Sequence, residues 1–500
     1  MEITPNRAAT FLASLHPRNN AQRLFMVFIG VLMVSGAGVI LTNSLAWLGV
    51  PAVLLGIIVL LADWRWVYYL LLLTLAFTRE ISLPGGLSMD VPSEPLMLIL
   101  LGCFGVNVLL GRSGIAARYW AHPLVIILGL MLLWASVSAF SSVDSTKSIK
   151  YLLAKTWYIG PFVFVTLNIV RRPADVWRLV AFYVVGACFT VVYTAIRHAG
   201  HGFAFDAINP SIQPFYLNHV IYAAVLALLL PYTFYAARST PSALKRTVWK
   251  AAQWLLLFGV LLSYTRASIM AVPLAGFFYL AIRWRLTAFV LIGAAVAAIS
   301  GALYFVHQNN YMLYAPDYEK TVFYGKDFEK HLEATYKLED LSGMERLYRW
   351  VAAARMISEK PITGSGPATF YPEYKRYTVK SFRTYVSDNP EHSTTHNYFL
   401  LQLAEQGLPG FLLFATLMCT ALLMVQRLYH RSHSLENRRV VLAAGLSLFI
   451  IIFHLLLNEV IEVDKIGSFF FIGLAILMRA EEWIEHEAES LAPNDSVRIG

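Results

Sequence analysis

Arg266 stands in Ser263-Tyr264-Thr265-Arg266-Ala267-Ser268, the one charged residue of the otherwise apolar stretch 251–282. Charge in such surroundings is costly and is retained mainly where it does something. The chemistry on offer is a planar guanidinium held for an anionic substrate group. The bland reading is an arginine whose head snorkels to lipid headgroups. His396 is the second residue of this kind, in Thr394-Thr395-His396-Asn397 ahead of the run Tyr398 to Gly410. Thr394 or Thr395 suits a helix cap, Gly407 a left-handed C′ position, and Pro409 the first turn of a following helix. The pattern predicts a short helix over 396–406 with His396 in its first turn. Free N–H groups and the helix dipole favour an anion there, a setting that suits a phosphate-bearing substrate. His392 lies four residues earlier, a spacing that on one helix would suit zinc. The pair straddles the expected cap, however, and no third ligand is evident. A polar neighbour at a membrane interface is the plain alternative for His396.

Arg197 resembles Arg266 in kind. It ends an outward-going helix just before the polar loop His198–His219, as a second cation or as a plain interfacial anchor. Asn218 and His219 either line a cleft or cap the helix that begins near residue 220.

The elements that must position these residues are apolar. Of 500 residues 57% are hydrophobic and only 14% charged, with a mean hydropathy of +0.57, against roughly 25% charged in a soluble domain. Apolar runs of roughly 15–20 residues recur from residue 24 to residue 480; such runs suit helices across a hydrocarbon core about 30 Å thick, though several are short. The runs 24–43, 45–62, 66–79, 95–111, 123–141, 151–170, 179–197, 220–237, 251–265, 267–282, 287–306, 408–426, 440–458 and 466–480 predict about 12–14 crossings. The first run follows Arg7, Arg18 and Arg23, ends in no small-residue cleavage pattern, and reads as a retained helix. The fold class is an all-α polytopic membrane protein.

The net charge of +9 does not point to nucleic acid, because the cations sit in alternate connections: Arg65; Arg112 and Arg118; Arg171, Arg172 and Arg178; Lys245, Arg246 and Lys250; Arg283 and Arg285; Arg427, Arg431, Arg438 and Arg439. The positive-inside rule puts these connections in the cytoplasm with both termini. Both ends of 251–282 are then cytoplasmic. One helix there would be roughly 48 Å long and leave its ends on opposite sides, so the stretch goes out and returns, with Arg266 at its apex. The longest connection of the opposite set, 307–395, lies outside. Within it, 343–359 has helical spacing, with Leu347, Val351, Ala354 and Met356 or Ile357 available for one face, and 361–374 reads as turns. Cys103, Cys188 and Cys419 fall within apolar runs and imply no disulfide framework or thiolate metal site.

Taken in order, these motifs resemble the O-antigen ligase and O-antigen polymerase superfamily of bacteria, and within it the O-antigen ligases. The matching features are Thr265-Arg266-Ala267-Ser268, Gly343 through Arg346 to Trp350, Pro361 to Pro367, and His396-Asn397 with Glu405, Gly407 and Gly410. The resemblance covers roughly 180–430. It implies inverting transfer of O-antigen from undecaprenyl pyrophosphate to a sugar hydroxyl of the lipid A–core oligosaccharide, at the periplasmic face of the inner membrane, without a metal or nucleotide sugar. The residues fit that chemistry. No DxD pair in the loop offers to hold a divalent cation. Arg266 and Arg346 are bidentate donors that suit a pyrophosphate leaving group, with Arg197 and Arg349 as further candidates. His396 suits a base near neutral pH. Asn397, Asn218 and His219 are candidates to line the substrate site, and Glu405 reads as structural. The expected organisation is 1–306 as N-terminal transmembrane helices, 307–395 as a periplasmic loop, 396–480 as the histidine helix with the C-terminal transmembrane helices, and 481–500 as a cytoplasmic tail. The rivals are an O-antigen polymerase, a protein O-oligosaccharyltransferase and, in another class, a lipid-linked sugar transporter. A transporter predicts repeated halves and midplane charges, and the sequence contains no such repeat.

Overall fold

A computed structural model describes residues 20–42, 47, 50–51, 63–83, 87–112, 114–314, 341–382, 387–389 and 392–491. The run expected over 45–62, and the middle of the 307–395 loop, lie largely outside these residues. Contacts divide the chain into two compact units, Met1–Leu70 and Leu71–Gly500. The first contains helix α1 (Asn20–Thr42) and the start of α2 (Arg65–Leu75).

The second unit carries the chemistry. An antiparallel strand pair, β1 (Arg79–Leu83) with β2 (Leu87–Val91), precedes α3 (Ser93–Leu109). The hydropathy reading did not anticipate this pair. The helices α4 (Pro123–Phe140), α5 (Ser145–Ile169, with a wider turn over Gly160–Val165), α6 (Pro173–Ala199), α7 (His219–Ser239), α8 (Ala243–Leu262), α9 (Arg266–Arg283) and α10 (Thr287–Val306) follow. After the long connection come α11 (Leu341–Glu359), α12 (Tyr398–Arg431), α13 (Leu435–Leu455) and α14 (Asp464–Leu491). Among the described residues eight helices are long and apolar enough to cross a membrane, and α1, α2 and α3 add shorter apolar segments. The fold is that of an all-α polytopic membrane protein. The helix α14 runs on past residue 481, where a tail was expected.

The helices divide by what surrounds them. In α7, 83% of the apolar window is buried, packed against α8, α9 and α13, whereas none of the window of α10 is buried. An apolar helix with no protein cover is soluble only in lipid.

Three local expectations meet the coordinates. Stretch 251–282 does turn back: α8 ends at Leu262, Tyr264 takes a positive φ of 54°, and α9 begins at Arg266. The helix α11 forms where its spacing predicts, and its buried face shares Val351 and Met356 with the expected one but not Leu347 or Ala354. Met344, Tyr348, Val351, Ala352 and Met356 are buried, while Leu347 and Ala354 are half-buried. The turns of 361–374 end at Thr369, and Phe370–Tyr374 is a helical turn.

Candidate active site

The cap before α12 is Asn397, not Thr394 or Thr395. The Asn397 Oδ1 accepts from the Leu400 N–H at 3.0 Å, while the Thr395 hydroxyl is spent on the Asn397 carbonyl at 2.7 Å. His396 therefore stands just outside the helix, with a left-handed φ of 51°, and not in its first turn. The oxygen of Asn397 is committed to the cap. The helix itself breaks at Gly407, whose φ of 66° and ψ of −170° end a short segment before the crossing part resumes. A Cβ at Gly407 would run into the Ile362 carbonyl. Glycine is the residue that meets both demands.

Segment 361–370 is the support of that short helix. Ser365 N–H donates to the Ala404 carbonyl at 3.1 Å, Gly366 N–H to the Glu405 carbonyl at 2.8 Å, and Leu408 N–H to the Pro361 carbonyl at 2.8 Å. Carbonyls at a helix end lack partners within the helix, and the turns supply them. Both carboxylate oxygens of Glu405 accept backbone N–H groups, from Ala368 at 2.9 Å and from Phe370 at 2.8 Å. Glu405 is structural, as its place in the sequence suggests.

The helix α11 brings the arginines to the histidine. Its Trp350 Nε1 donates to the Thr395 carbonyl at 2.8 Å, next to His396. Arg349 is buried, its Nε donating to the Glu345 carbonyl at 3.0 Å and its Nη2 standing 3.8 Å from the Glu345 carboxylate. Ser387 Oγ donates to the same carboxylate at 2.6 Å. Burial first, then the positive charges of Arg349 and Arg346, push the proton affinity of His396 down from the usual 6.5 to about 3. A buried cation beside two others is penalised twice, by desolvation and by like charge. His396 is therefore a neutral imidazole at neutral pH.

The turn after α13 closes the site. Its Asn458 side chain lies near His396. The next residue, Glu459, lies against Thr394 and within the field of Arg349, and burial pushes its carboxyl up. One of its oxygens, Oε2, is buried without a hydrogen bond among the described residues. Neither residue was among the sequence candidates. The available signal was a polar pair, Asn458-Glu459, closing the apolar run of α13.

Arg266 joins this site at one remove. It is half-buried at the first position of α9. Ser268, two residues on, hydrogen-bonds the His454 Nε2 at 2.8 Å, and the His454 carbonyl accepts the Asn458 N–H at 2.8 Å. Thr265 Oγ1 donates to the His219 carbonyl at 3.2 Å, which sets the start of α7 beside the Arg266 turn. His219 Nδ1 pairs with Asn209 Oδ1 at 3.0 Å, and Asn218 Oδ1 caps α7 by accepting from the Ile221 N–H at 3.0 Å. The cap reading of Asn218 is the one seen. Arg197 is exposed and reaches Tyr193 OH at 2.9 Å and the Gln213 carbonyl, so its described hydrogen bonds hold the 200–218 loop. His392 stacks on Tyr371 with ring centroids 4.1 Å apart. Neither His392 nor His396 lies in a helix, so their spacing does not put the two rings on one helical face.

The arrangement sets a neutral imidazole in the field of two guanidinium groups, at the end of the bundle where α9 and α12 begin and α13 ends. Among known proteins, residues 251–415 match the family described as O-antigen ligase, which supports membership of the O-antigen ligase superfamily. The matched region takes in Arg266, Arg346, Arg349 and His396, and leaves Arg197, His219 and Asn458 outside. No curated protein matches the chain.

Proposed function

We propose that this member of the O-antigen ligase superfamily transfers O-antigen from undecaprenyl pyrophosphate to a sugar hydroxyl of the lipid A–core oligosaccharide, with inversion at the anomeric carbon. The family match supports glycosyl transfer of the O-antigen ligase or polymerase type. The observation that carries the finer reading is that Trp350, on the helix that bears Arg346 and Arg349, holds the Thr395 carbonyl next to His396, whose buried ring lies in the field of both arginines. The acceptor oxygen attacks the anomeric carbon from the face opposite the pyrophosphate. The bond from that carbon to the phosphate oxygen breaks, and its electron pair leaves with the lipid pyrophosphate. The acceptor proton goes to the free nitrogen of His396. Arg346 and Arg266 stabilise the charge that grows on the leaving group, the work a divalent cation does in many transferases.

The depressed proton affinity of His396 fits this order of events. Burial, and after it the charges of Arg349 and Arg346, hold the ring neutral. A bound pyrophosphate offsets their charge, so the ring becomes a better proton acceptor when the donor is in place. The site faces the periplasm in this reading, because the arginine-rich connections face the cytoplasm. Membrane lipids surround the protein, and no cofactor takes part.

Gel analysis of surface polysaccharide from a strain lacking the gene tests the choice of acceptor. Loss of a ligase leaves long chains on the lipid carrier and bare core on lipid A. Core bearing a single repeat would instead assign the protein as an O-antigen polymerase. Unchanged lipopolysaccharide with unglycosylated protein would assign it as a protein O-oligosaccharyltransferase.

A further inference from the structure

One group of cations at the arginine-rich end of the bundle meets no carboxylate. Between Asp206 and Asp317 the chain has no acidic residue, yet it carries Arg238, Lys245, Arg246, Lys250, Arg283 and Arg285 in the connections that the charge bias assigns to the cytoplasm. The carboxylates of α14 pair with Arg118, His122, Arg427 and Arg479, and among the described residues no ion pair reaches Arg238, Arg246 or Lys250. These three line one cavity of about 380 Å³ with Ala237 and Gln253, where α7 ends and α8 begins. Arg246, Lys250 and Gln253 follow at intervals of four and three residues and so share one face of α8, while Arg238 comes from the last turn of α7. Both guanidinium groups are oriented. That of Arg238 lies 3.5 Å from the Phe234 ring centroid. That of Arg246 donates to the Thr240 carbonyl at 3.4 Å and to the Pro241 carbonyl at 3.3 Å. Neither contact neutralises the charge.

Like charges held around one cavity repel, and an anion between them removes that cost. The level of the cavity selects the anion. Gln253 is followed by Trp254 to Leu262, the apolar part of α8, and Leu244, Val248 and Trp254 are exposed on the same helix. Cations beside an apolar, tryptophan-bearing surface belong at the lipid headgroup layer. The volume falls within the range of small-ligand sites, about 300–1,000 Å³, and guanidinium forks match phosphate oxygens two at a time. We propose that this cavity binds the phosphate of one anionic phospholipid of the inner leaflet, with Arg238, Arg246 and Lys250 as charged donors and the Gln253 amide as a neutral one. Basic pockets between helices on the cytoplasmic side hold acidic headgroups in this way. The site is independent of the chemistry at His396.

Purified full-length protein in detergent, titrated with phosphatidylglycerol or with phosphatidylcholine of the same chains, tests this, with bound lipid counted by native mass spectrometry. The unaltered protein keeps one phosphatidylglycerol at concentrations where phosphatidylcholine is lost. The triple variant Arg238→Gln, Arg246→Gln, Lys250→Gln binds it on the order of 10- to 100-fold more weakly. The triple variant Arg112→Gln, Arg283→Gln, Arg285→Gln removes the same charge from the same side away from the cavity, and it keeps the affinity. Lys250→Glu alone reverses one charge and lowers the affinity by about fivefold to tenfold, which keeps the test open if the first triple variant does not fold. Millimolar inorganic phosphate leaves the lipid in place. Unchanged affinity in the cavity variants would overturn the site, and so would equal loss in the two triple variants, which would reduce it to diffuse charge. Phosphatidylcholine held as tightly as phosphatidylglycerol would make the cavity an apolar groove. Displacement by inorganic phosphate would assign a soluble anion in place of a lipid.

Discussion

At one end of the bundle arginine meets carboxylate. Arg427 and His122 both bind Glu481, Arg479 reaches Glu482 at 2.6 Å, and Arg118 reaches Glu485 at 3.0 Å. At the other end burial, joined by the field of Arg349 and Arg346, lowers the proton affinity of His396 to about 3. The residue types are alike, but the first set neutralises itself within the protein and the second acts on a titrating group. The carboxylates of the first set come from α14, which stays helical to Leu491 and so brings Glu481, Glu482 and Glu485 up to the basic connections. In the second set Arg349 stands 3.8 Å from the Glu345 carboxylate, which also accepts from Ser387.

Variants that remove charge should therefore act very differently at the two ends. Replacing Arg346 and Arg349 together by alanine removes two charge-assisted donors, each worth about 1.5–3 kcal/mol. Donor affinity and transfer should then fall on the order of 10³-fold, read by titrating vesicles with lipid pyrophosphate. A loss below about tenfold would mean that the field on His396 has no ligand. Gly407→Ala comes next and acts through the support of the site. The new Cβ meets the Ile362 carbonyl at a positive φ, costing about 1–3 kcal/mol in detergent thermal unfolding. A normal midpoint would mean that the break in α12 is not fixed by its backing turns.

The pH dependence sharpens the same contrast. The profile of kcat/KM reports the free protein and that of kcat the loaded one. With His396 neutral down to about 3, kcat/KM should show no histidine limb between about pH 5 and 7, the range of an ordinary imidazole. The limb in kcat should stand higher, because bound pyrophosphate offsets the arginines. Coincident limbs near 6.5 would contradict the field. The sign for stability is the same: a histidine whose proton affinity is depressed on folding contributes fully above about 6.5 and loses that contribution as pH falls toward 3. The smallest effect belongs to the opposite end. Arg118→Ala breaks a partly exposed pair, worth about 0–1 kcal/mol, and should leave transfer unaltered. A large loss of transfer there would end the distinction between the two ends.

Much of this was legible in the chain. The apex at Arg266 followed from charge bias and length, since a return was the way to keep both flanking connections on one side. The break at Gly407 followed from cap chemistry. The cap itself was misplaced because Thr394, Thr395 and Asn397 all have the right side chains. The tertiary structure decides by giving the Thr395 hydroxyl another partner. The face of α11 was misjudged because a polar partner, Glu345, lets the helix bury Arg349, and an apolar periodicity does not register buried charge. The strand pair 79–91 was hidden by short strands between long apolar runs. Asn458 and Glu459 showed in the sequence only as a polar pair closing an apolar run, and their partners lie far away in the chain, so nothing local tied them to His396.

The most direct test is a paired measurement on His396→Ala in vesicles: binding of the lipid-pyrophosphate-linked donor, and its transfer to lipid A–core. The account predicts near-normal binding with transfer lower by about 10²- to 10⁴-fold. Binding lost as badly as transfer, or transfer close to that of the unaltered protein, would contradict it.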